Sequence, residues 1–266
     1  MQTFKIIHPS PALKPFVRYY WVLQDSSPGM VSQRTLPTGC MSLVFHRGER
    51  LRIVNQDDLQ PRCFISGQET GFTDVISTGN IEMIVTVFQP HTAKMFLHIP
   101  AGLFCNRNIS VYDMEDIELQ DLTKRVEDAD NIETAVTLIE NFLLNRVLLE
   151  NNYNIPRLST VVRHISNSVH TNIKGLADIA CLSEKQFCRV FSEHIGTTPK
   201  DFLRIIRLQR TLSVLQHNPK IGFAQLSYEC GYTDQSHMIK EFRLFTGYTP
   251  KEYISRCAPV SDYFTF

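Results

Sequence analysis

The chain has 266 residues, of which 43% are hydrophobic and 20% are charged, and its formal net charge at neutral pH is zero. This composition is typical of globular proteins, the length suggests two domains, and no apolar run approaches the ~20 residues of a membrane-spanning helix. The first residues, MQTFKIIHPS, lack a secretory pattern and the cysteines form no C-x-x-C pair, so we expect a cytoplasmic protein with reduced thiols.

Short β-strands are predicted through the first half of the chain. Gly, Pro and Asn turns separate five runs rich in β-branched and aromatic residues, MSLVFHRG, RLRIVNQ, RCFISGQ, TDVIST and EMIVTVFQP. Several short strands at this spacing indicate a barrel or a sandwich.

A long helix is predicted next, over NIETAVTLIENFLLNRVLLE. Its apolar residues recur at helical spacing, at Ile132, Val136, Ile139, Leu143 and Val147. Two interpretations stay open: the helix packs on the core of its own domain, or it joins two copies of the chain as a homodimer. The following NNYNIP predicts a linker, so we place one domain at residues 1–152 and a second at 157–266.

The two parts differ in charge. Residues 1–155 hold 13 Lys and Arg against 18 Asp and Glu, whereas the residues from Pro156 onward hold 14 against 9. An acidic body joined to a basic tail indicates that only the tail meets a polyanion, although a surplus of five charges is a weak signal.

An internal repeat marks the basic part. FSEHIGTTPKDFL (191–203) and FRLFTGYTPKEYI (242–254) align without gaps at an offset of 51 residues. In each copy a short helix and a turn precede a second helix, which begins at Ser183 or Asp234 and ends at Gly196 or Gly247. A further helix then begins after Thr198 or Thr249, with Pro at its first position. This is the helix-turn-helix plan, present twice.

The second helix of each copy has an apolar stripe and a polar face. Phe187, Val190, Phe191 and Ile195 are predicted to be buried in the first copy, and Met238, Phe242 and Phe245 in the second. The opposite faces carry Lys185, Cys188, Arg189 and Ser192, and Gln235, Ser236, Ile239, Lys240 and Arg243.

These polar faces suit the edges of DNA bases. Arg and Lys can bind guanine, Gln can pair with adenine, and an Ile methyl suits the thymine methyl. A single amphipathic helix with a charged face is usually only solvated. Here, however, one long helix, predicted from about Pro199 to Gln216, joins two similar faces, which favours double-stranded DNA as the partner. On that helix, Arg204, Arg207 and Arg210 are predicted either to contact phosphates or to form internal ion pairs.

Residues from about 157 to 256 resemble the DNA-binding domain of the AraC/XylS family of transcription regulators. The stretch CGYTDQSHMIKEFRLFTGYTPKEY follows that family's signature, and LADIACLSEKQFCRVFSEHIGTTPKDFLRIIRLQRTL follows the preceding half. The resemblance implies seven helices and two recognition helices in adjacent major-groove segments of a promoter. It implies base contacts from Lys185, Gln186, Cys188 and Arg189, and from Gln235, Ser236, His237, Ile239 and Lys240. For Gln186 and His237, helix capping or intramolecular bonding is the alternative.

The first half resembles the regulatory domains found ahead of such DNA-binding units. The similarity is carried by HPSPALKPFVRYYWVLQ, LPTGCMSLVFHRG, SGQETGFTDVISTG and FQPHTAKMFLHIP. It implies a cupin-like barrel that senses a small molecule. The expected fold is therefore α+β with two domains, a β-rich cupin-like barrel with flanking helices and an all-α double helix-turn-helix domain of seven helices.

No motif indicates catalysis, and we expect neither an enzyme nor a cofactor. A barrel could gather Cys40, His46, His91 and His98 around a metal ion, but their spacing gives no support for a metal site. The leading hypothesis is a transcription regulator that binds promoter DNA and is controlled by an effector; RNA polymerase and a second copy are compatible partners, and a membrane is not. The alternatives are a cupin-type metalloenzyme with a DNA-binding tail and an effector-independent DNA-binding dimer.

Overall fold

The computed structural model describes residues 2–26, 32–54, 56, 58–77, 79–149 and 153–256. The first half is β-rich and the second half is helical, as the sequence predicts. The strands of the described chain are β1 (Gln2–Ile7), β2 (Val17–Asp25), β3 (Ser32–Thr35), β4 (Ser42–His46), β5 (Arg52–Ile53), β6 (Asp58–Leu59), β7 (Cys63–Ser66), β8 (Thr73–Ile76), β9 (Ile81–Phe88) and β10 (Asn108–Ser110). The five predicted runs coincide with β4, β5, β7, β8 and β9.

The strands form two antiparallel sheets. One has six strands in the order β1-β2-β9-β4-β7-β10, and the other has four in the order β3-β8-β5-β6. Successive residues of β9 point to opposite faces of the larger sheet. Ile84 lies in the apolar core beneath the helices, whereas Met83 and Val85 join a second apolar cluster with Phe64. The larger sheet is therefore apolar on both faces.

Short helices and two longer ones cover one face of the larger sheet. They are α1 (Ala93–Leu97), a 3-10 turn at Ala101–Phe104, another at Val111–Asp113, α2 (Ile117–Glu127) and α3 (Ile132–Leu149). In α3, Val136, Ile139 and Leu143 are buried in the same cluster as Ile84. The apolar stripe of this helix thus packs on the core of its own domain.

The described part of the second half contains seven helices. They are α4 (Asn154–Asn167), α5 (Ile173–Ile179), α6 (Glu184–Ile195), α7 (Pro199–His217), α8 (Phe223–Glu229), α9 (Gln235–Thr246) and α10 (Pro250–Arg256). The linker that the sequence predicts over 151–156 is shorter than expected, because Asn154 to Pro156 lie in the first turn of α4. Residues 150–152 and 257–266 lie outside the described part.

The predicted caps form. Ser183 and Gln186 make a capping box at the start of α6, and Asp234 accepts a hydrogen bond from the His237 main-chain N–H at the start of α9. Gly196 and Gly247 end these helices with φ of +94° and +74°, values that favour glycine. Each unit is thus fixed by local interactions at both ends of its second helix.

The long helix α7 joins the two helix-turn-helix units, because different sides of it pack in their two apolar clusters. Ile206 packs in the first apolar cluster with Phe187 and Phe191, whereas its neighbour Ile205 packs in the second with Phe242. Because both clusters share one helix, the two units are held as one body.

The β-rich half packs directly against the helical half. Leu36, which follows β3, lies in the apolar cluster of α7, α8 and α9. The Gln209 side chain of α7 donates a hydrogen bond to the main-chain oxygen of Pro37. A Cβ on Gly39 would lie 3.4 Å from both Ile206 and Phe202, so the backbone of this segment approaches α7 closely. The segment Leu36–Gly39 of the β-rich half is therefore part of the packing around α7.

Candidate nucleic-acid interface

The helix α6 exposes the basic residues that the sequence predicts for DNA contact. Lys185, Gln186 and Arg189 are exposed, while the stripe of Phe187, Val190, Phe191 and Ile195 is buried. Gln186 is also used within the chain, because its Oε1 accepts a hydrogen bond from the main-chain N–H of Ser183 over 3.3 Å. Lys185 and Arg189 are therefore the cationic groups available on this face.

The helix α9 exposes a similar face. Gln235, Ser236, Lys240 and Arg243 are exposed, whereas Met238, Phe242 and Phe245 are buried. Ile239 is half-buried and packs against the apolar cluster of this unit, so only part of its side chain faces outward.

A buried carboxylate binds three other residues that the sequence predicts to contact DNA. Glu241 of α9 is 6% exposed. Its Oε1 lies 2.7 Å from Arg204 Nε and 3.2 Å from Arg207 Nη2. His237 Nε2 is 3.6 Å from the same oxygen, and the His237 ring packs edge-on against Tyr232. The structure thus favours the internal alternative for Arg204, Arg207 and His237, since all three hold α9 to its neighbours.

Exposure divides the twelve sequence-predicted DNA-contact residues into two sets. Six of them are exposed: Lys185, Gln186, Arg189, Gln235, Ser236 and Lys240. The other six are half-buried: Cys188, Ser192, Arg204, Arg207, His237 and Ile239. Cys188 packs against the apolar cluster of the first unit.

The β-rich half covers the end of α6. A Cβ on Gly102, in the 3-10 turn after α1, would lie 3.4 Å from the main-chain oxygen of Ser192. Lys94 of α1 forms an ion pair with Glu193 of α6. The last turn of the first recognition helix is therefore a domain contact, which reduces the surface that Ser192 offers to DNA.

The end of α9 is also held by the β-rich half, through Arg34 of β3. Arg34 Nη1 donates a hydrogen bond to the main-chain oxygen of Thr246 over 2.8 Å. Its Nε and Nη2 each lie 2.7 Å from one oxygen of Asp74. The guanidinium carbon is 4.0 Å from the ring centre of Phe72 and 4.4 Å from that of Tyr248. These residues were not predicted from the sequence, because no local pattern reports a contact between two positions 212 residues apart.

A cavity of about 650 Å³ lies between the two halves. Its wall includes Tyr19, Trp21 and Phe64 from the larger sheet and Arg34 from the smaller one. The helical half closes it with Tyr248, Tyr253 and Arg256, at and within α10. A molecule in this cavity would therefore contact both halves at once.

The cavity holds a carboxyl group with a perturbed ionisation. Burial raises the pKa of Glu69 to about 7. Burial also raises the pKa of Tyr19 to about 12, so its hydroxyl stays protonated at neutral pH. The Glu69 carboxyl can therefore switch between its neutral and charged forms near neutrality.

The structure gives no support to the metal-dependent alternative. Within the described residues no three His, Cys, Asp or Glu side chains could together hold a metal ion, so Cys40, His46, His91 and His98 are not gathered. His46 instead hydrogen-bonds Gln60 over 3.0 Å, and burial lowers its pKa to about 4. None of the helices described is long and apolar enough to cross a membrane.

Comparison with known proteins identifies the helical half. Residues 176–256 match a helix-turn-helix domain family, and residues 5–110 match a domain of unknown function (DUF6597). An uncharacterized HTH-type transcriptional regulator of Haemophilus influenzae is 31% identical over 96 residues, which are 36% of this chain and 31% of that protein. The arabinose operon regulatory protein of Salmonella typhimurium is 24% identical over 131 residues, 46% of each chain. The chain thus spans about a third to a half of the length of these relatives.

A solved structure is similar over both halves. ToxT from Vibrio cholerae O395 is 11% identical to this chain with a TM-score of 0.47, and the match covers 97% of this chain and 98% of ToxT. Three observations agree on the helical half. It contains two helix-turn-helix units joined by one long helix, it matches a helix-turn-helix domain family, and its relatives include transcription regulators. The helical half is thus similar to the helix-turn-helix domains of AraC-type regulators, and it is joined to a β-rich N-terminal half.

Proposed function

We propose that the protein is a sequence-specific regulator of transcription, which reads promoter DNA with α6 and α9. One observation carries this proposal: the second helix of each unit turns exposed cationic and polar residues outward, and α7 packs against both units. Such a regulator works where the chromosome is, so we place it in the cytoplasm. As an activator it would also contact RNA polymerase.

The base-reading set we propose follows from exposure. Arg189 and Lys240 are the main contacts, since cationic side chains of recognition helices bind guanine O6 and N7. Lys185, Gln235 and Ser236 lie beside them on the same two faces. Arg204 and Arg207 are left out of this set, because both are engaged by Glu241.

A map of binding sites across the genome, followed by binding assays with the full-length protein, tests this proposal. The expected result is a shared sequence motif with two half-sites, and an affinity for it that exceeds the affinity for scrambled DNA by ~10³-fold or more. Equal affinity for every sequence, even in low salt, would contradict it.

We further propose that a small molecule controls DNA binding from the cavity between the two halves. The support is that barrel residues and α10 residues line the same space. A ligand that fills it favours the arrangement in which both walls are in place, and so shifts the population of domain arrangements. If protein saturated with the small molecule and ligand-free protein bind DNA and activate transcription equally, the proposed control by a small molecule is wrong. Sedimentation of the pure protein tests the alternative, an effector-independent dimer.

A further inference from the structure

The acidic groups on the cavity wall differ in their ion-pair partners. Of the described residues, two with a carboxyl group line the cavity, Glu69 and Asp74. Asp74 is bound by two nitrogens of Arg34. For Glu69, by contrast, the described residues provide no hydrogen bond or ion pair, and the residue lies on the cavity wall. One acidic group therefore faces the cavity without a counter-charge.

The cationic groups on the wall offer little to an anion. The three nitrogens of Arg34 are engaged by Asp74 and by the Thr246 carbonyl. Arg256 is exposed, at the last residue of α10, with its guanidinium 5.5 Å from the ring centre of Tyr248. Among the described residues, a negatively charged ligand would thus meet the carboxyl group of Glu69 and, as its cationic partner, only the exposed Arg256.

Aromatic rings line the same space. Tyr19, Trp21 and Phe64 come from the larger sheet, and Tyr248 and Tyr253 come from the helical half. The negative faces of such rings attract cations, and a carboxylate beside them adds a full charge. A cavity of about 650 Å³ also suits a ligand of the size of a typical drug or metabolite.

We propose that this cavity binds an organic cation with a bulky apolar body, held by the Glu69 carboxylate and the surrounding aromatic rings. The cation is the class of effector for the control described above, so its regulatory meaning depends on that proposed function. Its binding chemistry does not.

The ionisation of Glu69 fits this chemistry. Without a ligand, burial favours the neutral carboxyl, which imposes no uncompensated charge on the apolar wall. A bound cation favours the carboxylate instead, so binding should release a proton. The other titratable groups on the wall are Arg34, Asp74, Arg256, Cys40 and three tyrosines, Tyr19, Tyr248 and Tyr253.

The chain supplies its own reporter for the test, because its single tryptophan, Trp21, lies on the cavity wall. Full-length protein is titrated with tetraphenylphosphonium while tryptophan fluorescence is followed, and the affinity is checked by calorimetry. Tetraphenylborate provides an anion of the same shape, and triphenylphosphine oxide provides a neutral molecule of similar bulk. Benzyltrimethylammonium provides a smaller cation.

We expect at least one of the two cations to bind saturably and the matched anion and neutral compound to bind at least tenfold more weakly. Glu69→Gln should weaken binding of the cation about 10-fold or more, because the replaced group is charged. Glu115→Gln, a change at an exposed carboxylate outside the cavity, should leave the affinity unchanged. Binding of neither cation, equal binding of the anion, or an unchanged affinity in Glu69→Gln would overturn the proposal.

If Glu69→Gln fails to fold, the pH dependence of cation binding by the wild-type protein still tests the proposal. Affinity for tetraphenylphosphonium, which cannot titrate, should rise about tenfold from pH 6 to pH 8, whereas that for triphenylphosphine oxide should stay flat. A flat profile for the cation would overturn the proposal. None of these measurements contains DNA. If the protein binds the cation but binds every DNA sequence equally, only the proposed function is refuted. If it binds promoter DNA specifically but does not bind the cation, only the cation site is refuted.

Discussion

Arg34 Nη1 and the main-chain oxygen of Thr246 lie 2.8 Å apart, which ties β3 to the last residue of α9. The carbonyl groups at the end of a helix lack partners within the helix and carry partial negative charge, so a guanidinium there is well placed. The position of the second recognition helix is therefore coupled to the smaller sheet, which also forms part of the cavity wall.

Removal of the Arg34 side chain should weaken the contact between β3 and the end of α9. We expect Arg34→Ala to lower the free energy of unfolding by about 2 kcal/mol, because charged hydrogen bonds to Asp74 and Thr246 are lost together. Hydrogen exchange of the main-chain amides in α10 should become faster. Arg125→Ala, at an exposed position on α2, is the control and should change neither quantity. Unchanged exchange in α10 would show that Arg34 does not hold the segment that joins α9 to α10.

The outward cations should carry base recognition. Arg189→Ala and Lys240→Ala should each weaken binding to the cognate promoter by about 1–3 kcal/mol and relax the preference for one base pair. Gel-shift or fluorescence-anisotropy titrations against a panel of single-base variants measure both effects. Lys124→Ala removes an exposed cation from α2 and serves as the control for net charge. A variant that keeps wild-type affinity and the wild-type footprint does not belong to the readout set.

The buried carboxylate of Glu241 should be essential for stability rather than for base reading. Its replacement by Gln leaves the guanidinium groups of Arg204 and Arg207 without their shared counter-charge. Breaking such a buried pair costs about 3 kcal/mol. Urea denaturation of Glu241→Gln measures this loss, with Glu115→Gln as the exposed control. A loss below ~1 kcal/mol would mean that the two arginines are compensated by other groups or by solvent.

The ionisation of Glu69 should give the ligand-free protein a pH-dependent stability. The pKa of this carboxyl is about 7 in the folded protein, against ~4.3 for a glutamate in an unfolded chain. Because the folded state holds the proton more tightly, stability should fall as pH rises from about 4 through 7. Glu69→Gln should remove this part of the slope and raise the Tm at pH 8 by about 2–4 °C, with little change at pH 4. An equal shift of Tm at both pH values would point to a packing effect instead.

Local signals were sufficient to predict the helical half. The caps at Ser183 and Asp234 and the glycines at 196 and 247 each act within one turn of the helix that they delimit, so sequence spacing alone reveals them. The buried stripes follow from helical periodicity for the same reason. The strands β2 and β3 were not predicted, since pairing with distant strands rather than turn residues defines them.

Contacts between distant residues could not be predicted. The sequence left Arg204 and Arg207 between phosphate contact and internal pairing, because the deciding residue, Glu241, lies 37 and 34 positions away. The contact of Arg34 with Thr246 and the closure of the cavity by Tyr253 depend on how two halves of the chain dock. No periodicity or motif in a single sequence encodes that docking.

Leu36 has one more consequence. This residue of the N-terminal half fills a place in the apolar cluster of α7, α8 and α9, so the second helix-turn-helix unit is not complete without it. Heating should consequently melt the β-rich half and the helical half in one cooperative transition instead of two. A shift of β3 would therefore act directly on the apolar cluster of the helical half, of which Leu36 is a member.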